Sequence, residues 1–565
     1  MFDRCEKMTI TLKNSSDGIL SEAPSDSKKQ VLITIVACIL LTLICVTINS
    51  KNSFLYELQD CDDAQCFMTV ARCMRRGDVL YKDVYEHKGI VLYVLYLIAN
   101  IISRNSFIGV YFIELFSFYL FLFFSLRTLR LFCHYDFLNY GFLILIAISA
   151  TSVDAFRAGG QCEEFALSLL AVSIYLVLKQ CLKLKEKDLS RYSFVIGLCF
   201  AIVFWLKYTM TGFYIGYVLG ILAIGIKNKK AGFIVKNAMF FLIGACSGTA
   251  PVLAYFLYNN AIADLWQVYF YTMIFKYRPS RSIGIIVTLK HIFILLKRIH
   301  ILLPLIMMII PPKKVLAWEA RLMGILIHMF AIIGCAFGVL QIYGLECFYA
   351  SSVFSCIGFI ALYKYFTLDK TVDNASKKAR KSVLDRLILR FNADLAGWKK
   401  EWHTTLGPKL NTRRNKTLVL VSGILFIVFL TWFPSPFRMF ITYDEMDYPL
   451  NRIKYCMEET GVKSPNILYF DCTDMGLFNL TDTYPMDKYF CAYTLYTPED
   501  LDYYNKYIIN GRADFVISDR LQTILESYDY IKVFEETHVP FVSYGSYRNY
   551  YVYARSDLAN CSADN

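Results

Sequence analysis

The feature that most limits this chain is a succession of apolar runs near the length of a bilayer crossing. A helix needs roughly 20 apolar residues to cross the hydrocarbon core. Runs at or just below that length cover 31–49, 107–126, 137–153, 164–179, 192–207, 210–226, 237–258, 299–312, 322–341, 347–363 and 417–433. With 56% apolar residues, 19% charged residues and 85 Phe and Tyr side chains in 565 positions, the chain falls outside soluble-domain composition. The expected class is an all-α polytopic membrane protein with about eleven transmembrane helices.

Charge distribution orients these spans and argues against nucleic acid as the partner of a chain with net charge +12. Residues 370–416 hold thirteen Lys/Arg against four Asp/Glu, whereas 435–565 hold eleven against twenty. A basic cytoplasmic loop and an acidic extracytoplasmic domain account for that contrast. The run Gly89–Ile102 is only 14 residues long, and its placement decides every later orientation. If it lies in the outer interface, the basic loops at Arg127/Arg130, Lys179–Arg191, Lys227–Lys236, Lys313–Arg321 and 370–416 all fall inside. If it crosses, all fall outside. We therefore read 89–102 as interfacial or re-entrant, the N-terminus as cytoplasmic, and the chain as a multi-pass plasma-membrane protein embedded in the lipid bilayer.

This reading divides the chain into a disordered cytoplasmic tail (1–27), a membrane-embedded domain (28–434) and an extracytoplasmic α/β domain (435–565). The membrane domain includes a first outer loop with interfacial helices (50–106) and a basic cytoplasmic loop (364–416). In the latter, Leu384, Leu387, Ile388, Phe391, Leu395, Trp398 and Trp402 form an apolar stripe flanked by basic residues. That pattern suits either a helix lying on an anionic leaflet or an ordinary loop held by charge. The C-terminal runs 466–470, 513–517 and 550–553 read as strands, and 501–509 as a helix. Its role is open between acceptor recognition and a passive cap. No CxxC pair occurs among the 18 cysteines; Cys456, Cys472, Cys491 and Cys561 are the candidates for pairing in the outer domain.

In this topology the ionisable residues near the outer ends of spans form a short set. The first outer loop carries Asp60, Asp62, Asp63, Asp83, Glu86, His87 and Lys88; the second carries Asp154, Arg157, Glu163 and Glu164; Lys207 and Tyr208 end the fifth span. Ionisable groups near membrane depth are costly and so read as functional by default. After Asp63, the apolar residues Phe67, Val70, Ala71 and Met74 recur at helical spacing and Gly77 closes the run. They predict an amphipathic surface helix in which Asp62 or Asp63 serves either as N-cap or as a chemical group.

Together these segments resemble a known family. Asp63-Ala-Gln-Cys-Phe67 resembles the D-x-x-x-F stretch of bacterial relatives of protein O-mannosyltransferases and lipid A aminoarabinose transferases. Gly77-Asp-Val-Leu-Tyr-Lys-Asp83 and Tyr85-Glu-His-Lys-Gly89 resemble that family's G-x-x-x-Y-x-D and F-D-H-K-G patterns. Gly159-Gly-Gln-Cys-Glu-Glu-Phe165 resembles its G-G-N-x-T-E-E segment, and Leu206-Lys-Tyr208 its outer lysine. Ile90 stands where the pattern has Pro, and Gln161 where it has Asn.

The resemblance implies the GT-C fold and a membrane glycosyltransferase, typically inverting. Such an enzyme moves a hexosyl or pentosyl group from a polyprenyl-phosphate-linked sugar to an acceptor outside the membrane. The acceptor, whether protein, lipid or cell-wall glycan, stays open. The family's catalytic aspartate maps onto Asp63, with Asp62 and Asp60 as competitors. Lys88, Lys207 and Arg157 are candidate donor-phosphate ligands, and His87, Glu163, Glu164 and Tyr208 candidate substrate-binding residues. The segment 259–298, with Lys276, Arg278, Arg281, Lys290, Lys297 and Arg298, is either a cover for the donor or a solvated surface. No cofactor is assigned with certainty; a divalent metal held by Asp60, Asp62 and Asp63 is conceivable on oxygen-ligand chemistry and is left unassigned. The alternative from another class is a transporter or flippase of a lipid-linked glycan, against which the absence of paired repeats weighs.

Overall fold

The computed structural model describes residues 28–104, 106–133, 136–153, 156, 158–182, 188–276, 318–342, 345–354, 356–360, 413–470, 472–491, 506–541 and 543–559. Apolar runs become helices over most of their expected extents. These are α1 (Lys28–Asn49), α2 (Asp62–Arg76), α3 (Ile90–Ile102), α4 (Ile108–Arg130), α5 (Asp136–Thr151), α6 (Cys162–Leu182), α7 (Tyr192–Leu206), α8 (Gly212–Lys227), α9 (Ala231–Tyr258), α10 (Trp318–Ile342) and α11 (Arg413–Trp432). Among the described residues, five helical stretches are long and apolar enough to cross a membrane: Lys28–Asn49, Ile108–Arg130, Cys162–Leu182, Tyr208–Lys227 and Ala231–Tyr258. Two expected spans differ: 299–312 lies outside the described residues, and 347–363 opens in a 3-10 helix, Leu345–Phe354.

Small residues let the helices approach closely, as association without a hydrophobic driving force requires. Gly197 and Gly244 put α7 and α9 in backbone contact; Gly212 and Gly216 do the same for α8 and α10. At one end of the bundle Arg130 donates to Thr34 Oγ1 (2.8 Å) and the Tyr140 hydroxyl (3.0 Å), and Arg127 donates to the Tyr175 hydroxyl (3.2 Å). The acidic first loop gathers at the opposite end. There the Lys51 amide donates to the Ala158 carbonyl (2.9 Å), joining the segment after α1 to the one before α6.

Helix α3 lies across that second end. Its start touches the end of α7, where the Gly89 amide meets the Leu206 carbonyl (3.2 Å). Its middle reaches Gly160 through the Tyr96 hydroxyl (3.0 Å), and Ala99 packs against Gly109 at the start of α4. Both ends of α3 therefore meet the same end of the bundle.

Helix α2 starts after Cys61 and stops at Gly77, whose φ of 111° lets its amide close the last turn. Asp62 and Asp63 occupy the first turn and Arg75 and Arg76 the last, each sign matching the helix dipole. Neither aspartate is the N-cap residue, so the capping reading is not realised. The expected solvated polar face is also absent: Gln65, Thr69 and Arg72 are buried. They are covered by residues 476–484, where Asn479 donates to the Gln65 carbonyl (3.1 Å) and Arg72 donates to the Phe478 carbonyl (2.5 Å) and to Asp482 (2.6 Å).

After α11, the chain forms a four-stranded sheet in the order β1-β2-β4-β3. Its strands are β1 (Ile467–Tyr469), β2 (Phe515–Ser518), β3 (Tyr530–Phe541) and β4 (Ser543–Arg555); β1 and β2 run parallel and the remaining pairs antiparallel. The first five residues of the helix expected at 501–509 lie outside the described residues, as does the stripe at 384–402. Cys456, Cys472 and Cys491 are free thiols, and Cys561 lies outside the described residues.

Candidate functional site

The three aspartates of the first loop, close in sequence, take up different surroundings. Asp60 is engaged by Lys51, whose ammonium is 2.6 Å from Oδ1, fully buried and 3.2 Å from the Phe440 ring centre. Burial works to lower the Lys51 pKa, and Asp60 opposes it. Asp62 Oδ1 accepts from the Asp63 amide (3.0 Å), while Oδ2 faces Arg548 of β4 at 3.7 Å. Asp63 turns to a third neighbourhood, within electrostatic reach of Glu86 and Lys88. Because the carboxylates diverge, they do not make a shared metal cage. Among the described residues no group of three His, Cys, Asp or Glu side chains is arranged to hold a metal ion.

The turn 86–89 is organised by Glu86, whose Oε2 accepts from the Lys88 amide (2.7 Å). Lys88 Nζ sits 3.7 Å from Glu86 Oε1, 3.3 Å from His87 Nε2 and 5.4 Å from the Phe67 ring centre of α2. Burial works against the Lys88 charge, but Glu86 and Asp63 outweigh it and hold its pKa above the usual lysine value. Burial raises the Glu86 pKa despite Lys88. Burial, then Lys88 and Lys207, push the His87 imidazole well below its ordinary value, so it is neutral at pH 7.

Lys207 ends α7 in an extended conformation and pairs with Glu163 Oε1 at 2.5 Å. Arg157 and Asp154 lie outside the described residues. Beside Lys207, Tyr208 packs edge-on against Tyr269 (5.7 Å), which also stacks near Trp205 (5.5 Å) and Tyr81 (6.4 Å). Tyr269 belongs to a π-helix, Trp266–Lys276, so the start of 259–298 packs onto the site as ordered structure. Lys276 ends that helix; Arg278, Arg281, Lys290, Lys297 and Arg298 lie outside the described residues.

Glu164 separates from its neighbour Glu163. Its Oε2 accepts from the Gly160 amide (2.8 Å), and its carboxyl meets that of Glu114 in the bundle. Glu114 accepts from Ser50 Oγ (2.7 Å) and Asn52 Nδ2 (3.0 Å). Sequence reasoning missed Glu114, although it is the one carboxylate within the apolar run 107–126 and therefore carried a readable signal. Arg548 and Asp474 were also missed, with no local signal to find them.

Asp63, Glu86, His87, Lys88, Glu163 and Lys207 thus gather at one end of the bundle, where the neighbouring Tyr85 amide donates to the Lys488 carbonyl (3.0 Å) of the C-terminal segment. Two ammonium groups brought together in a largely buried setting, each matched by a carboxylate, are suited to receiving an anion.

No protein-family model matches this sequence, and no curated protein matches it. Solved structures do. ArnT from Cupriavidus metallidurans bound to undecaprenyl phosphate aligns over 94% of this chain and 99% of its own, with a TM-score of 0.52 and 11% identity. The same protein in the apo state aligns over 94% and 98%, with a TM-score of 0.51 and 10% identity. The arabinosyltransferase EmbB from Mycobacterium smegmatis matches over 84% of this chain and 45% of its own, at TM-score 0.43 and 13% identity. At such identities the likeness to ArnT is one of fold.

Proposed function

We propose that this chain, which has the GT-C fold of ArnT, is a membrane glycosyltransferase using a polyprenyl-phosphate-linked sugar as donor. The observation that carries the reading is the placement of Lys88 and Lys207 beside Asp63 at one end of the helical bundle. The ArnT structure contains undecaprenyl phosphate, which supports the same class of lipid carrier here. The bilayer would retain the isoprenoid tail, leaving phosphate and sugar at the interface.

In the reaction, an acceptor hydroxyl attacks the anomeric carbon as the bond from that carbon to the phosphate oxygen breaks. The Asp63 carboxylate takes the hydroxyl proton, a contribution of about 10²–10⁴ in rate. The polyprenyl phosphate leaves with the bonding electrons, and its growing negative charge is met by Lys88 and Lys207. Fixed charges of this kind need no reorganisation at the moment of reaction. Glu163 holds Lys207 in place before the donor arrives, His87 offers a neutral donor or acceptor to the sugar, and Tyr208 lines the approach from α7. Attack opposite the departing phosphate inverts the anomeric centre. Asp60 and Asp62 act as structural neighbours of Asp63, and Arg157 is a further candidate for the phosphate. The site faces outward, with the N-terminus cytoplasmic and 435–565 extracytoplasmic.

Purified protein given a polyprenyl-phosphate sugar and an acceptor should release free polyprenyl phosphate, and a nucleotide sugar should give no turnover. Asp63→Asn should abolish release. Movement of intact lipid-linked glycan across a liposome membrane, with no polyprenyl phosphate released, would replace the enzyme by a transporter.

A further inference from the structure

The C-terminal sheet reaches the first turn of α2 through one buried side chain. Arg548 of β4 sits with its guanidinium between two carboxylates: Nη1 is 3.1 Å from Asp474 Oδ2 and Nη2 is 3.7 Å from Asp62 Oδ2. Its Nη2 also donates to Thr473 Oγ1 (2.8 Å). Asp474 is itself fixed, accepting from the Tyr550 hydroxyl (2.6 Å) and the Gly476 amide (3.0 Å). The far end of the relay is Asp62, whose other oxygen accepts from the Asp63 amide. A planar guanidinium is the side chain best able to hold two carboxylates in a set geometry.

The same domain grips the rest of α2 through Asn479 on Gln65 and through Asp482 on Arg72. Those contacts would dock the helix without Arg548. What Arg548 adds is specific to the first turn: it fixes the Asp62 carboxylate and compensates a charge next to Asp63.

We propose that Arg548 is a positioning residue for the transfer reaction, acting through Asp62 to set the orientation and ionisation of the Asp63 carboxylate. The C-terminal domain is then part of the catalytic unit rather than a passive cover. This inference rests on Asp63 being the base.

Among the described residues, the charged groups set near Asp63 are Asp62 on its own helix and Glu86 and Lys88 from the turn before α3, with Lys207 and its partner Glu163 on the far side of Lys88. His87 beside them is neutral. Removing Arg548 leaves these in place but takes away the positive charge 3.7 Å from Asp62, so Asp63 faces a more negative neighbour. A carboxylate binds its proton more tightly when a neighbouring carboxylate loses a nearby cation. The acid limb of the rate profile should therefore move to higher pH.

The test measures polyprenyl phosphate release by the full-length protein. Arg548→Gln should lower kcat about tenfold or more, as displacement of a reacting group does, with the donor KM within about twofold because Lys88 and Lys207 are untouched. Its acid limb should rise by about half a pH unit. Arg548→Lys keeps the charge but cannot span both carboxylates, so kcat should fall while the limb stays at its wild-type position. Adding Asp62→Asn to Arg548→Gln should return the limb to that position. A wild-type kcat and limb in Arg548→Gln would overturn the inference. If Arg548→Gln fails to accumulate in membranes, a wild-type kcat in Arg548→Lys would overturn it. No release from wild type with any polyprenyl-phosphate sugar would instead sink the glycosyltransferase reading itself.

Discussion

Gly89 and Trp205 meet backbone to backbone: a Cβ added at Gly89 would lie 1.9 Å from the Trp205 carbonyl oxygen. This contact, with the Gly89 amide on the Leu206 carbonyl, brings the turn holding Lys88 against the end of α7, which holds Lys207. Gly89→Ala must push the two apart, since backbone atoms on both sides cannot yield as a flexible side chain would. The cost of such overpacking is about 1–3 kcal/mol. We expect a lower melting temperature in detergent and an approximately tenfold rise in donor KM. Unchanged donor KM in a folded Gly89→Ala protein would show that the two lysines do not act on one phosphate.

Asp60→Asn and Asp63→Asn should fail in different ways. Asp60 compensates a fully buried lysine, and breaking such a pair from one side typically costs about 3–5 kcal/mol. Asp60→Asn should therefore reduce membrane yield and melting temperature, and Lys51→Met with Asp60→Leu should recover much of both. Asp63→Asn should accumulate and melt close to wild type while losing turnover. An active Asp63→Asn protein would move the base elsewhere in the site.

The signals readable in the sequence were those carried by neighbours along the chain. Apolar run lengths, Gly77 as a helix stop and charge at the span ends located α2, the 86–89 turn and Lys207 without any tertiary information. The contacts that distinguish one aspartate from the next are not local. Asp62 meets a residue of β4, and Gln65 and Arg72 meet residues 478–482, so a helix face that reads as solvated is in fact covered. Strand β3 was invisible for a related reason. Its run Lys532-Val-Phe-Glu-Glu-Thr-His-Val-Pro540 mixes charge with apolar residues and has irregular register against β4, which hides the two-residue period.

His87 supplies a pH test of the site's burial. Its pKa is held well below the ordinary value of about 6.5, so the folded protein keeps it neutral while the unfolded chain protonates it. For a depressed basic group, stability is fully present above the unfolded pKa and is lost as pH falls toward the folded pKa. The wild-type melting temperature should therefore fall more steeply than that of His87→Gln as pH drops from about 7 to 5. Parallel curves would mean that His87 titrates normally in the folded protein and is not enclosed.

Orientation can be read from three positions. If α3 lies along the interface, the chain between α3 and α4 and the C-terminal sheet share one side of the membrane, and the link between α8 and α9 lies on the other. In a cysteine-depleted background, single cysteines at Asn105 and Tyr547 should react with an impermeant thiol reagent added outside. Tyr547 is 64% exposed and suits such labelling. A cysteine at Lys229 should react only after the membrane is opened. The result bears on chemistry as well as topology, because an outward site has no access to cytosolic nucleotide sugars and requires a donor already carried across on a lipid. Outside labelling at 229 with protection at 105 and 547 would turn the site inward, and with it the need for a lipid-linked donor would disappear.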